Sequence, residues 1–215
     1  MAGSISPDRG NEKERDKPGM DGRMNNSIIF VSGPCGTGKS TFTDAYARHM
    51  VSVNGKTVYV IHGDDFHAGF VEPENKDDFF VNGEASDNVL WEDILKFNWD
   101  CIIATAGRAL SQGTDVFIDY VIEDELPRVM ELASLHGARL YYIVLTATED
   151  ELERRIRNRG DLDMIERAKF LKRKLDAMPE NAGHIIDNTD KPLEQMIKEI
   201  ELDDFEVKNN HGTYK

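Results

Sequence analysis

The chain has 215 residues, the length of one ordinary domain or of one domain with a tail. Lys and Arg number 26 against 40 Asp and Glu, a formal net charge of −14, and so acidic a surface repels phosphate backbones and anionic lipid. Neither a nucleic-acid nor a membrane-surface partner is therefore expected, and runs such as Ile28-Ile29-Phe30-Val31 and Tyr141 to Leu145 are far shorter than the roughly 20 residues that span a bilayer.

In chain order, residues 1–26 are polar and charged and are expected to be a disordered leader. They hold no apolar stretch that would make a signal peptide, and Cys35 and Cys101 make no disulfide framework, so a cytoplasmic, reducing environment is expected. Ser27 to Ser32 is a buried-strand run ending in a Gly-rich turn. Ser40 to Val53 reads as a helix, with Phe42, Ala45, Tyr46, His49 and Met50 at helical spacing. Thr57 to His62 is a second strand entered through Asn54-Gly55, and Asp64 to Glu84 has no clear period and reads as a loop or partly helical insert. Asp87 to Gln112 is a long helix closed by Gly113, with Leu90, Ile94 and Phe97 at core spacing. Asp115 to Tyr120 is the third strand, Glu123 to His136 a helix stopped by Gly137, and Arg139 to Thr146 the fourth strand. Glu149 to Arg159 and Met164 to Met178 are charged helices, His184 to Asp187 a short fifth strand, and Leu193 to Leu202 a closing helix. Residues 27–203 thus form one domain and 204–215 a tail. Near-continuous apolar strands alternating with helices predict an α/β fold with a parallel sheet covered on both faces.

Gly33-Pro34-Cys35-Gly36-Thr37-Gly38-Lys39-Ser40 satisfies G-x-x-x-x-G-K-[ST] at each fixed position, between a strand and a helix as the motif requires. Glycines let backbone N–H groups close around phosphate oxygens. Lys39 neutralises β/γ charge, Ser40 offers a hydroxyl to Mg²⁺, and the following helix points its positive end at the anion. A nucleoside triphosphate is the expected ligand of this Walker A segment, held by residues 33–41 and so including Thr41. Cys35 fills a variable position of the loop.

No guanine-nucleotide motif follows: Asp119 precedes Tyr120-Val121-Ile122, and Asn188-Thr189-Asp190-Lys191 only scrambles N-K-x-D. An ABC-type or AAA+ ATPase calls for more chain and further signatures, whereas a small kinase fits the length. The second strand runs into His62-Gly63-Asp64-Asp65-Phe66-His67, at the strand ends that line the ligand crevice of such sheets. There Asp64 is expected to take the proton of an acceptor hydroxyl attacking the γ-phosphate, with Asp65 second in line. His62 and His67, five apart with no third ligand, read as loop or substrate-pocket residues rather than a metal site. Val116-Phe117-Ile118-Asp119 has the form of a Walker B strand, so Asp119 joins Ser40 as a candidate Mg²⁺ residue. Arg155 and Arg159, at i and i+4 in the one basic patch, share a helix face suited to a transferring phosphoryl group. Gly160 after them would let a lid hinge.

With these pieces in order the chain resembles the small P-loop kinases that modify low-molecular-weight compounds, chloramphenicol phosphotransferase-like and tunicamycin-resistance-type ATP-binding proteins among them. The likeness covers about Ser27 to Glu201 and includes His184-Ile185-Ile186-Asp187-Asn188-Thr189. It implies a P-loop NTPase fold with a five-stranded parallel sheet of order 2-3-1-4-5 and an arginine lid. It also implies ATP and Mg²⁺ as cofactors, Asp64 as the base, and the turn from Asp187 to Lys191, with Asn188, near the adenine. The expected activity is transfer of the γ-phosphate of ATP to a hydroxyl of a small-molecule acceptor. Two alternatives stand beside it: an ATP-binding resistance or regulatory protein that transfers nothing, and a nucleoside or nucleotide kinase. The segment from Ala68 to Trp99 departs from the resemblance. Phe66 together with the segment's Phe70, Phe79, Phe80, Trp91, Phe97 and Trp99 suits a flat acceptor, whereas Asp77, Asp78, Glu84, Asp87, Glu92 and Asp93 suit an aminated sugar.

Overall fold

The structure is a computed structural model that describes residues 26–70, 80–81, 84–85 and 90–208. Its strands are β1 (Ser27–Ser32), β2 (Val58–His62), β3 (Phe80–Val81), β4 (Glu84–Ala85), β5 (Asp115–Asp119), β6 (Arg139–Thr146) and β7 (Ile185–Asp187). The helices are α1 (Lys39–Asn54), α2 (Trp91–Ser111), α3 (Leu126–His136), α4 (Glu149–Arg159), α5 (Met164–Ala177) and α6 (Leu193–Glu199). β2, β5, β1, β6 and β7 lie side by side in that order and all pair in parallel, while β3 and β4 form a separate two-stranded antiparallel ribbon. Among the strands of the main sheet this is the 2-3-1-4-5 order expected, and the fold is that of a P-loop NTPase.

Side chains of successive strand residues alternate between the faces, and the two cores follow that alternation. Ile28, Phe30, Val116, Ile118, Leu140, Tyr142 and Val144 meet α2, α3 and Leu175 of α5 on one face. Ile29, Val31, Phe117, Tyr141, Ile143 and Leu145 meet Phe42, Tyr46 and Ala47 of α1 and Met196 of α6 on the other. A third cluster joins Ile156 of α4 to Ile165 and Ala168 of α5, with Cys35 of the phosphate loop packed against it. The charged helices α4 and α5 are thereby seated on the phosphate loop.

Several boundaries shift for visible reasons. The start expected for α2 at Asp87 falls outside the described residues, and the described helix begins at Trp91. Only Ile94 of the three expected core positions is buried; Leu90 precedes the helix and is exposed, and Phe97 is turned out against Phe70. α3 begins at Leu126 because Glu125 folds back to accept the N–H groups of Glu123 and Asp124, closing a turn ahead of Pro127. The closing helix stops at Glu199, and Leu202–Phe205 form a short 3-10 turn. Packing also continues past the boundary expected at residue 203. The Val207 N–H donates to the carbonyl of Leu140, and Arg139 pairs with Asp203 and Glu206. This segment covers the stretch of β6 edge that the three-residue β7 leaves bare. Of the expected leader only Asn26 is described, bonded to Leu110 and Arg139. Among the described residues no helix is long and apolar enough to cross a membrane.

Trp99, stacked on Phe30 with ring centroids 5.8 Å apart, anchors α2 to the sheet. Trp99→Ala is expected to cost about 3–5 kcal/mol of stability, read as a lower midpoint in urea denaturation followed by far-UV circular dichroism.

Candidate active site

The parallel registers set the geometry. Val31 lies opposite Asp119 and Asp119 opposite His62, so three strand ends finish level with one another just where the phosphate loop begins. Gly38 caps α1 in a left-handed conformation, φ 80°, with no side chain bonded over the helix end. Nothing lies within 4 Å of where a Cβ at Gly38 would sit, and no side chain takes up the unpaired amides of the first turn. Lys39 Nζ folds back to the carbonyl of Pro34 at 3.4 Å, and Thr37 Oγ donates to the same oxygen at 2.8 Å. These are the features of an anion cradle at a helix N-terminus.

Ser40 Oγ donates to Asp119 Oδ2 at 2.5 Å, which brings the two residues expected at Mg²⁺ into direct contact. A hydroxyl and a carboxylate beside an anion cradle are the hard oxygen donors that Mg²⁺ takes. Among the described residues no three His, Cys, Asp or Glu side chains gather into a cage of their own, and Mg²⁺ in such sites draws its other ligands from phosphate and water. The residues present fit the ion.

The other oxygen of Asp119 meets His62 Nδ1 at 2.5 Å, and His62 Nε2 lies 3.4 Å from Asp44 of α1. Burial pulls the His62 pKa down, but the hydrogen bond to Asp119 and the charges of Asp119, Asp44 and Asp65 outweigh it and hold the imidazole above its ordinary value. His62 therefore acts as the clamp of Asp119, a role its place in the sequence did not suggest. Asp44 shows no signal in the sequence beyond lying one helical turn after Ser40.

Gly63 follows, packed so close to Tyr120 that a Cβ there would sit 2.4 Å from the ring. This approach turns the chain into two consecutive 3-10 turns, Gly63–Asp65 and His67–Gly69, and leaves Asp64 and Asp65 exposed at the mouth of the crevice. Their charges reach different neighbours: Asp65 acts on His62, and Asp64 on Tyr120, whose phenol burial first and then Asp64 push up to about 12 against the lowering bond from Asn98.

The two arginines part company. Arg155 is fully engaged. Its Nε meets Glu151 at 2.6 Å, Nη1 meets Asn188 Oδ1 at 3.0 Å, and Nη2 meets the carbonyls of Asn188 and Thr189 at 2.9 and 3.3 Å. Arg154 and Arg155 hold the Glu151 carboxyl down at about 2. Asn188 in turn donates to the carbonyl of Thr37 at 2.8 Å, so Arg155 ties the loop after β7 to the phosphate loop. Arg159, at the end of α4, is 57% exposed and ion-paired with Asp161.

Of the aromatic residues expected to wall the acceptor, Trp99 lies in the core, stacked on Phe30 and edge-on to Tyr120. Phe66 packs against that core. Phe70 with Phe97 and His67 with Trp91 make edge contacts at centroid distances of 4.9 and 6.3 Å. Glu92 and Asp93 are exposed in the first turn of α2. Phe79, Asp77, Asp78 and Asp87, with the side chains of Phe80 and Glu84, lie outside the described residues.

A glycine-rich loop at a helix N-terminus, a buried carboxylate at the end of the neighbouring strand and carboxylates just past the next strand end belong to a small P-loop protein of kinase fold. Residues 29–177 match the AAA domain family (AAA_18), and the chain belongs to that family. No match was found among curated proteins. Among solved structures, the Mycobacterium tuberculosis APS kinase in complex with AMPPNP and APS superposes with a TM-score of 0.57 at 16% identity, over 81% of this chain and 95% of that one. A gluconokinase from Sinorhizobium meliloti 1021 gives 0.51 at 22% identity, over 84% and 91%. The Deinococcus radiodurans tunicamycin resistance protein gives 0.51 at 13% identity, over 80% and 92%. At these identities the likeness is one of fold. Although the family description shares a word with the larger AAA+ ATPases that the chain length set aside, these structural neighbours are proteins of this chain's size.

The His62 clamp has a pH signature in the magnesium-free protein. Because its folded midpoint lies above the unfolded value near 6.5, the pairing contributes fully below about pH 6.5 and is lost as pH rises through the folded midpoint. Proton NMR titration of the imidazole is expected to give a midpoint above 6.5 that drops in Asp44→Asn; an unmoved midpoint would remove Asp44 from the clamp.

Proposed function

We propose that the protein is an ATP- and Mg²⁺-dependent kinase that moves the γ-phosphoryl group of ATP to a hydroxyl of a low-molecular-weight acceptor. The observation that carries this reading is the direct Ser40–Asp119 contact beside the open phosphate loop, with Asp64 at the end of the next strand. Lys39 and the loop amides of residues 33–41 bind the β- and γ-phosphates. Ser40 and Asp119 would hold Mg²⁺, which would supply charge neutralisation to the phosphates when bound. Asp64 accepts the acceptor hydroxyl proton, the oxygen bonds to the γ-phosphorus, and the bond from that phosphorus to the β–γ bridging oxygen breaks to release ADP. The proton then leaves Asp64 for water.

The arginines take separate parts. Arg155 works through Asn188 and its loop, which the family resemblance puts near the adenine. Arg159, exposed beside the Gly160 hinge, reaches the transferring group. Of the two basic residues that the sequence offers an already phosphorylated acceptor, Lys76 lies outside the described residues and Arg108 sits in the last turn of α2, near the start of β1 and away from the strand ends at the site, which favours an unphosphorylated acceptor. The contents of the cytoplasm are the natural source of such acceptors.

Lys39→Ala is expected to weaken ATP binding in calorimetry. Asp64→Asn is expected to bind ATP as the wild type does and to lose about two to four orders of magnitude in turnover. Normal turnover by Asp64→Asn, with loss in Asp65→Asn, would transfer the base to Asp65. The arginines separate by kinetics as well. Arg155→Ala is expected to raise the KM for ATP roughly tenfold to a hundredfold, the loss of one charged hydrogen-bond set. Arg159→Ala is expected to lower kcat by about three orders of magnitude or more. A kcat loss confined to Arg155→Ala would reverse these assignments.

A further inference from the structure

Asn188 stands in the loop after β7, buried with 5% of its surface exposed, and each of its polar atoms has a protein partner. Its backbone N–H donates to the carbonyl of Thr146 at 2.9 Å, and its own carbonyl accepts from Arg155 Nη2 at 2.9 Å. The side chain works in two directions: Oδ1 accepts from Arg155 Nη1 at 3.0 Å, and Nδ2 donates to the carbonyl of Thr37 at 2.8 Å. A guanidinium only donates and a carbonyl only accepts, so this is the one amide orientation that satisfies both neighbours. The position calls for an acceptor and a donor on one short side chain, which asparagine supplies. Aspartate would set an oxygen against the Thr37 carbonyl, and an apolar residue would strand both partners. Asn188 is therefore committed to the protein itself, although the family resemblance puts its turn near the adenine.

The bond to Thr37 sets the plane of the next peptide. In a trans peptide the C=O and the N–H that follows it point in opposite directions. Drawing the Thr37 carbonyl to Asn188 therefore turns the Gly38 N–H away from Asn188, to a side where none of the described residues accepts from it. Gly38 is left-handed, φ 80° and ψ 29°, and Lys39 after it is helical. Successive N–H groups across such a pair converge on a concavity that suits an anion, so the amides of Gly38, Lys39 and Ser40 make one set of donors. Glycine takes this conformation without strain but is also the residue freest to leave it. A fixed partner for the Thr37 carbonyl removes that freedom. Arg155 adds a longer contact, 3.5 Å, from Nη1 to the carbonyl of Gly36.

We propose that Asn188 is a positioning residue for the phosphate loop. By holding the Thr37–Gly38 peptide it aims the Gly38 N–H at the phosphates of the nucleotide, so it sets affinity for the polyphosphate and takes no part in choosing the base. The proposal rests on the reading of residues 33–41 as a triphosphate site and deepens it. Arg155, Asn188, Thr37 and Gly38 form one relay from α4 to the donor set at the start of α1. That relay is the route by which Arg155 acts on ATP affinity.

Two measurements on the full chain decide the matter. The first is calorimetric titration with the magnesium complexes of ATP and of inorganic tripolyphosphate, which has no base. Asn188→Ala is expected to weaken both by the same factor, about tenfold or more, the loss of one aligned donor to a charged group. A residue that reads the base would cost ATP its affinity and leave tripolyphosphate untouched, and one that only supports the loop after β7 would do the same. The second needs no variant. In the wild type the Gly38 amide proton is expected to move downfield when magnesium tripolyphosphate is added, because a hydrogen bond to a phosphate oxygen deshields it. Tripolyphosphate affinity unchanged in Asn188→Ala, or a Gly38 amide signal unmoved in the wild type, would each overturn the proposal and leave the triphosphate reading standing. A wild-type chain that binds neither ATP nor tripolyphosphate would defeat that reading and the proposal with it.

Discussion

Asp119 ends β5 with its carboxylate almost wholly out of water, and a buried carboxylate persists only when its charge is paired and its oxygens are bonded. Both oxygens are accounted for: one accepts from Ser40 at the start of α1, the other meets His62 at the end of β2. That pair of bonds stitches together two parallel strand ends and the helix that follows the phosphate loop. The same carboxylate that makes the crevice electrostatically demanding also gives it hard oxygen ligands. Removing one member of such a buried arrangement typically costs several kcal/mol, because it strands the others. The site is thus also a structural joint, and the rest of the crevice is arranged around it.

From this joint the two substrate sides diverge. On the nucleotide side, α4 and α5 sit on the phosphate loop through Ile156, Ile165 and Cys35, and Arg155 binds the loop after β7 through Asn188 and Thr189. The basic patch therefore does two jobs, one arginine bracing a loop and the other left at the solvent-exposed end of the helix. On the acceptor side, Gly63 lets the chain pass tightly over Tyr120, and the 3-10 turn it begins leaves Asp64 and Asp65 exposed. Trp99 and Phe30 supply the rigid floor beneath them.

Much of this was legible in the sequence, and the reasons are physical. Strands buried on both faces leave unbroken apolar runs, so β6 was bounded correctly to the residue, and α4 was too because Thr148 and Gly160 punctuate it. The phosphate loop was legible because its chemistry restricts residue type at fixed spacing. Contacts between distant segments were not: Asp44 with His62, and Arg155 with Asn188, join positions with no shared period. Aromatic residues misled for the same reason, since Trp99 and Phe97 are two residues apart on one helix and face opposite environments.

The most direct test of the central claim is release of ADP from ATP·Mg by the purified protein, alone and against nucleosides, aminoglycosides, amphenicols and sugars. The account predicts that one unphosphorylated hydroxyl-bearing class raises ADP release, with one phosphorylated acceptor formed for each ADP. ATP bound tightly, yet no stimulation by any acceptor in the panel, would contradict it.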